Sequence, residues 1–187
     1  MFIHTKIDRE ACHNNLAPTT SSACHLAIGD AIAMTLQKLK GFTPQDFSKY
    51  HPSGNLGKKL TLTLNNLIDK NRKPFVEKSS SFLKIIDEIS SNMYGATAVI
   101  QDNIIVGVIT DGDIRRVIEK KQNIENISAS DFMNKNPKIM TENTLAIEAL
   151  KHMKENRISQ VLIIDSSNVY LGIVHVLDII KEGVNNE

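Results

Sequence analysis

The second half of this chain is written twice, and that repetition constrains its fold more than any other feature. "GVITDGDIRRVIEK", beginning at Gly107, returns as "GIVHVLDIIKEGV", beginning at Gly172. Upstream, "FLKIIDEISSNM" matches "AIEALKHMKENR", and "ATAVIQDNIIVGVI" matches "QVLIIDSSNVYLGIV". Self-similarity of this kind marks a structural unit used more than once. In the first pair of stretches Leu83, Ile86 and Ile89 answer to Ile147, Leu150 and Met153. Apolar residues three apart predict the core face of a helix. The second pair reads as two apolar strands around a polar turn. Each unit is therefore strand, helix, strand, strand, helix, over residues 67–125 and 130–184. Alone, each unit would leave an apolar sheet face in water, and two units side by side bury it.

Residues 1–62 follow another pattern. "FIHTKI" alternates like a short strand, with Phe2, His4 and Lys6 on one face. Residues 22–40 read as a helix capped by "TTSS" and stopped by Gly41. Its apolar residues, including Leu26, Ile32, Leu36 and Leu39, run nearly all round, so it needs cover on most sides that residues 1–62 cannot supply, and a partner surface is expected to be missing. Thr43, Pro44 and Asp46 open a further short helix, with His51 just beyond it.

The stretch after that helix, "YHPSGNLGKKL", has the look of a phosphate loop. It fails the P-loop pattern at both ends, because Pro52 stands at the first glycine position and Lys59 at the hydroxyl position. The residues alone read as a turn at Pro52 and Gly54, then a helix with Leu56, Leu60 and Leu64 on one face. A formal charge of +1 and the lack of tryptophan give no footprint for nucleic acid or an anionic membrane surface. No run of about 18 apolar residues predicts a membrane span, and the start lacks the apolar stretch of a signal peptide. Two cysteines are too few for a disulfide framework, so a cytoplasmic setting is expected. Cys12-His13 and Cys24-His25 have zinc-ligand chemistry, but the paired ligands are adjacent rather than two to four apart. No metal site and no cofactor are expected.

The repeat resembles the paired cystathionine-β-synthase (CBS) modules, whose signature is Gly, apolar residues, Ser or Thr, two residues, then Asp. "GVITDGD" meets it with Gly107, Thr110 and Asp113, and "GIVHVLD" keeps Gly172 and Asp178 but has His175 at the hydroxyl position. Such pairs form a disc whose clefts often take adenosine-type ligands, so the resemblance implies ligand contacts at Thr110, Asp113 and Asp178. It adds Ser79 and Ser80 at the mouth of the first module. The residues alone also allow Asp113 and Asp178 to be helix caps. The intact signature makes the first module the better candidate, with Arg115 and Arg116 suited to a phosphate or to a solvated helix face.

The front half, through "LAPTTSS", "GDAIA", "GFTPQDF" and "HPSGNLGKKL", followed by two CBS modules, resembles the D-arabinose-5-phosphate isomerase family. That family joins a sugar isomerase (SIS) domain, a parallel α/β sheet, to a CBS pair. The implied fold is therefore α/β, the end of a SIS domain over residues 1–62 and then a tandem CBS pair of two βαββα repeats. The implied reaction interconverts D-ribulose 5-phosphate and D-arabinose 5-phosphate for Kdo and lipopolysaccharide or capsule synthesis. The histidine of the family's "HP.G.LG" motif falls on His51. Most of the catalytic domain is expected to lie ahead of Met1, so these residues alone are expected to be inactive. The implied partners are a sugar phosphate substrate, an adenine nucleotide or CMP-Kdo at a CBS cleft, and further copies of the chain as a dimer or tetramer. The alternative is a stand-alone nucleotide- or CMP-sugar-sensing or oligomerisation module.

Overall fold

A computed structural model describes residues 3–51, 54–120 and 124–184, so Phe2 of the expected strand and Pro52 of the expected turn lie outside it. The chain divides between Tyr50 and His51 into two compact units.

The first unit is helical. α1 (Thr20–Leu39) ends in Gly41, whose left-handed φ of 60° lets Phe42 donate back to Gln37 and Gly41 to Lys38. That double closure is the glycine stop expected from the sequence. At the other end the cap is completed from a distance. The Glu10 carboxylate accepts from the backbone N–H and hydroxyl of both Thr19 and Ser21, which pulls its pKa down to about 2. α2 (Pro44–Tyr50) carries the expected Thr43 cap, and Asp46 returns it by accepting from Thr43 N–H. One expectation fails here. Residues 3–7 form no strand, because an alternating segment needs a neighbouring ladder and none pairs with it among the described residues. α1 buries no residue, and Leu26 and Leu39 are 69% and 79% exposed, so its apolar sides are without cover among the described residues, in keeping with the missing partner surface.

The second unit opens with α3 (Asn55–Thr61), which stops short of Leu64 because Leu64 sits in a separate 3-10 turn, Leu64–Asn66. Then come β1 (Phe75–Glu77), α4 (Phe82–Asn92), β2 (Ala96–Gln101), β3 (Ile104–Thr110) and α5 (Asp111–Glu119). α6 (Ala129–Phe132) leads to the second copy: β4 (Ile139–Thr141), α7 (Ala146–Asn156), β5 (Gln160–Ile164), β6 (Tyr170–His175) and α8 (Val176–Lys181). Each sheet has the same order, the first strand parallel to the second and the second antiparallel to the third. This is the βαββα repeat read from the sequence.

The core face of α4 is Phe82, Ile85 and Ile89, not Leu83, Ile86 and Ile89, and Leu83 is 70% exposed. At 100° per residue Leu83 lies about a third of a turn from the centre of that face. Its counterpart α7 buries Ala146, Ala149, Leu150 and Met153.

Each module's core is closed by the segment that precedes the other module. Leu64, fully buried, packs with Leu150, Val161 and Ile179 of the second module, and its N–H donates to Thr144. Ala129, Phe132 and Met133 pack with Val76, Ile85 and Val99 of the first. There Ala129 N–H donates to Ser80, and Asn134 and Val108 exchange backbone bonds. Between the sheets, Ala96 and Ala98 of β2 meet Leu162, Tyr170 and Ile173 in a third cluster. The alanines leave room for the larger side chains opposite.

The two signature glycines have a steric role in this exchange. A Cβ on Gly107 would lie 2.7 Å from Met133 Sδ and 3.0 Å from the Asn134 carbonyl oxygen, and one on Gly172 would lie 3.1 Å from Ile68. Both glycines let the exchanged segment lie directly on the third strand.

Candidate functional site

β3 delivers Thr110 to the start of α5, where it becomes the helix cap. Thr110 N–H and Oγ1 donate to Asp113 Oδ2 at 2.9 and 2.6 Å, and the same carboxylate accepts from Arg116 through Oδ1. Asp113 is therefore held at both oxygens by its own helix. In the second module His175 takes the threonine's place. Its Nδ1 accepts from Leu177 N–H at 3.1 Å while its own N–H donates to Asp178 at 2.9 Å. The histidine is a substitute cap, so losing the hydroxyl residue did not cost the helix its start.

Thr110 faces a cleft of about 320 Å³ between the modules. Its walls include Asn134 and Asn136 from the connecting segment, and Lys138, Arg157 and Ser159 from the second module. Apolar surface comes from Val108, Ile158 and Leu162. Lys138 and Arg157 are the only charged residues in that lining, so the cleft is electropositive. Arg157 is presented by an unusual backbone. It ends α7 in the left-handed region at φ 54°, a position more often given to glycine. Sequence reasoning missed Lys138, Arg157 and the two asparagines. Only a non-glycine residue at a helix stop could have flagged Arg157.

The corresponding place in the other module is built differently. Tyr94 stands where the second module has Ile158; it is buried and stacks with the Arg72 guanidinium, 4.6 Å from its ring centroid. Burial raises the Tyr94 pKa; the Arg72 guanidinium opposes that shift and the Asp178 charge adds to it. An aromatic ring and a guanidinium thus occupy the Asp178 side, and the two ends of the disc are not equivalent.

The remaining candidates fall elsewhere. Ser79 lines a different cleft, and Ser80 is buried with its hydroxyl accepting from Glu77 N–H. Both follow β1, which runs parallel to β2 toward the Gln101 end, whereas Thr110 pairs with Ala96 at the opposite end. At about 3.3 Å per residue those ends are roughly 15–20 Å apart. Asp113 lines a small hollow with Val117 and Asp131, and Arg115 and Arg116 are exposed.

His51, at the start of the second unit, is exposed. Lys58 reaches across the second unit. Its Nζ donates to the Glu182 carboxylate at 2.9 Å and the Glu182 carbonyl at 3.0 Å, which ties α3 to the end of α8. Among the described residues no three His, Cys, Asp or Glu side chains come together as a metal site, and no helix is long and apolar enough to cross a membrane.

The CBS domain model matches twice, over residues 68–120 and 129–185. Along nearly its whole length the chain is homologous to arabinose 5-phosphate isomerases. It is 39% identical to KdsD of Francisella tularensis over 180 residues, which is 96% of this chain and 55% of the relative. It is 36% identical to KpsF of Escherichia coli over 170 residues, 90% of this chain and 52% of the relative. The chain thus spans about half the length of the curated relatives it matches. In fold it resembles the CBS domain protein PAE2072 from Pyrobaculum aerophilum, solved with AMP. The TM-score is 0.57 at 15% identity, covering 63% of this chain and 89% of the other. With two matched copies, each carrying its own three-stranded sheet, the chain belongs to the CBS-domain family.

Proposed function

We propose that residues 51–184 are a nucleotide-responsive CBS pair serving an arabinose 5-phosphate isomerase, and that the nucleotide occupies the cleft between the modules. The observation that carries this reading is the charge of that cleft: Lys138 and Arg157 with no acidic side chain among the described residues of the lining, beside the Thr110 hydroxyl whose other partner is Asp113. Arg157 can take phosphate oxygens through its guanidinium fork and Lys138 as a point charge, while the asparagines meet sugar or base edges. Val108, Ile158 and Leu162 give a base an apolar wall. A volume of about 320 Å³ is within the range of small-molecule sites. The AMP held by the similar Pyrobaculum protein agrees with an adenine nucleotide as ligand.

The isomerase part of the reading rests on the named relatives. An aldose–ketose shift moves a proton between C1 and C2 and needs a base, an acid for the oxygens and an anchor for the phosphate. His51 is the group this chain offers, as an acid or in ring opening, with a cytoplasmic sugar phosphate as substrate and a homo-oligomer as the working form. Kdo supply for lipopolysaccharide or capsule is the process such an enzyme would serve.

Titration calorimetry of the 187-residue protein with AMP, ATP and CMP-Kdo tests the cleft. One of them should bind, and Arg157→Ala and Lys138→Ala should each weaken it about tenfold by removing a charged phosphate contact. Binding indifferent to both substitutions would refute this location.

A further inference from the structure

We propose that a second cleft, on the first module and away from the electropositive one, is a binding site for a neutral sugar ring. It encloses about 800 Å³ and is built from three separate segments: β1 and the turn after it, the β2–β3 hairpin, and the exchanged segment at α6.

Its apolar part is set by register. Glu77 pairs with Ile100 and Phe75 with Ala98, so Phe75 and Ile100 lie on one face of the sheet. Phe75 is 48% exposed there, offering a flat aromatic surface to the C–H face of a ring. Around it stand the amides of Gln101 and Asn103 and the hydroxyls of Ser79 and Ser130. Amides and hydroxyls both donate and accept, which suits vicinal hydroxyls that do the same. The hairpin wall is fixed in shape. Asp102 and Asn103 both have positive φ, 53° and 64°, the two-residue turn that matches strand twist. A wall already in place loses little entropy when a ligand is held against it.

Charge decides against a phosphorylated ligand. The lining carries two carboxylates, Glu77 and Asp102, against one ammonium, Lys78. That is the reverse of the Lys138–Arg157 cleft, so this site does not depend on the nucleotide reading.

The test is nitrogen-15 NMR of the 187-residue protein titrated with D-glucose, D-arabinose and D-ribose, and with arabinose 5-phosphate as the charged comparison. At least one neutral sugar should give saturable shifts at Ser79 and Gln101–Asn103, with Kd on the order of 1–10 mM. Phe75→Ala should weaken that binding about tenfold, one decade in Kd. Gln101→Ala, at an exposed position, should also weaken it while leaving the rest of the spectrum unchanged. Three outcomes would each overturn the proposal. They are no saturable shift with any neutral sugar, binding untouched by both variants, or arabinose 5-phosphate binding these residues tenfold tighter than the neutral sugars.

Discussion

The Tyr170 phenol donates a 2.8 Å hydrogen bond to the carbonyl oxygen of Pro74, a residue 96 positions earlier and in the other module. Tyr170 is 1% exposed, and the Lys73 ammonium lies 5.3 Å from its ring centroid. One polar atom buried between two sheets thus helps fix how they meet, since a displaced partner would leave the phenol unpaired and out of reach of water, while the carbonyl keeps the Ala98 N–H. Tyr170→Phe should cost about 0.5–1.5 kcal/mol in urea denaturation, the worth of one hydrogen bond, because the Pro74 carbonyl keeps the Ala98 N–H. Burial also holds the Tyr170 pKa well above its ordinary value. With the folded value raised, this contribution is complete below the unfolded tyrosine pKa of about 10 and is lost as pH climbs beyond it. The phenylalanine variant should show a shallower alkaline loss than the wild type.

Gly107 and Gly112 form a matched pair for testing the exchange of segments. Valine at Gly107 would collide with Met133 and with the Asn134 backbone, and the backbone cannot step aside cheaply. The expected loss is about 1–3 kcal/mol by equilibrium unfolding. Alanine at Gly112 meets nothing closer than 3.6 Å and lies in α5, so it should be neutral or stabilising. Equal effects at the two positions would contradict the steric account.

Lys58 and Glu182 should govern whether α3 stays docked. The Lys58 charge and hydrogen bond lower the Glu182 pKa. A depressed folded value means a contribution present above the unfolded carboxylate pKa of about 4.3 and lost as pH falls through the folded one. Lys58→Met should raise amide exchange across α3 roughly tenfold at neutral pH, a local opening rather than a global one. The wild type should loosen only part of the way in acid, because the Lys58 bond to the Glu182 carbonyl survives protonation, and the variant should show little further change there.

Asp113 would act on the proposed nucleotide cleft through Thr110, whose hydroxyl it holds at 2.6 Å. Asp113→Ala should weaken AMP binding roughly three- to tenfold by releasing that hydroxyl, about the worth of one hydrogen bond. Asp178→Ala, on the side occupied by Tyr94, should change it less than twofold. Calorimetry that ranks the two variants the other way would move the ligand to the opposite end of the disc.

The 187-residue protein should not interconvert ribulose 5-phosphate and arabinose 5-phosphate by itself. One imidazole acting as acid or base contributes about a hundred- to ten-thousand-fold, and groups that work as a set fail together when members are missing. Turnover above buffer that disappears in His51→Ala would refute this.

How much was legible in the sequence varied with the kind of signal. The repeat, the order of elements and the Thr43 cap were readable because each leaves a local pattern, a period or a spacing. The α4 face was misread by one position because Leu83 and Phe82 are both apolar and period alone does not choose between them. The exchanged segments left no trace, since residues 62–68 and 127–134 are too short for periodicity and their partners lie far along the chain. Lys138 and Arg157 were missed for a related reason. Neither belongs to the signature, and only folding brings them opposite Thr110.

The reciprocal exchange also sets a timetable for synthesis. As the chain leaves the ribosome, Leu64 emerges early but finds its pocket only when Leu150 and Ile179 have followed. The first module, with all its strands already made, waits for Ala129 and Met133 before its core closes. A chain interrupted between the two copies would therefore yield not one finished module but one lacking its lid and carrying its neighbour's, with apolar surface ready for whatever chaperone or second chain meets it first.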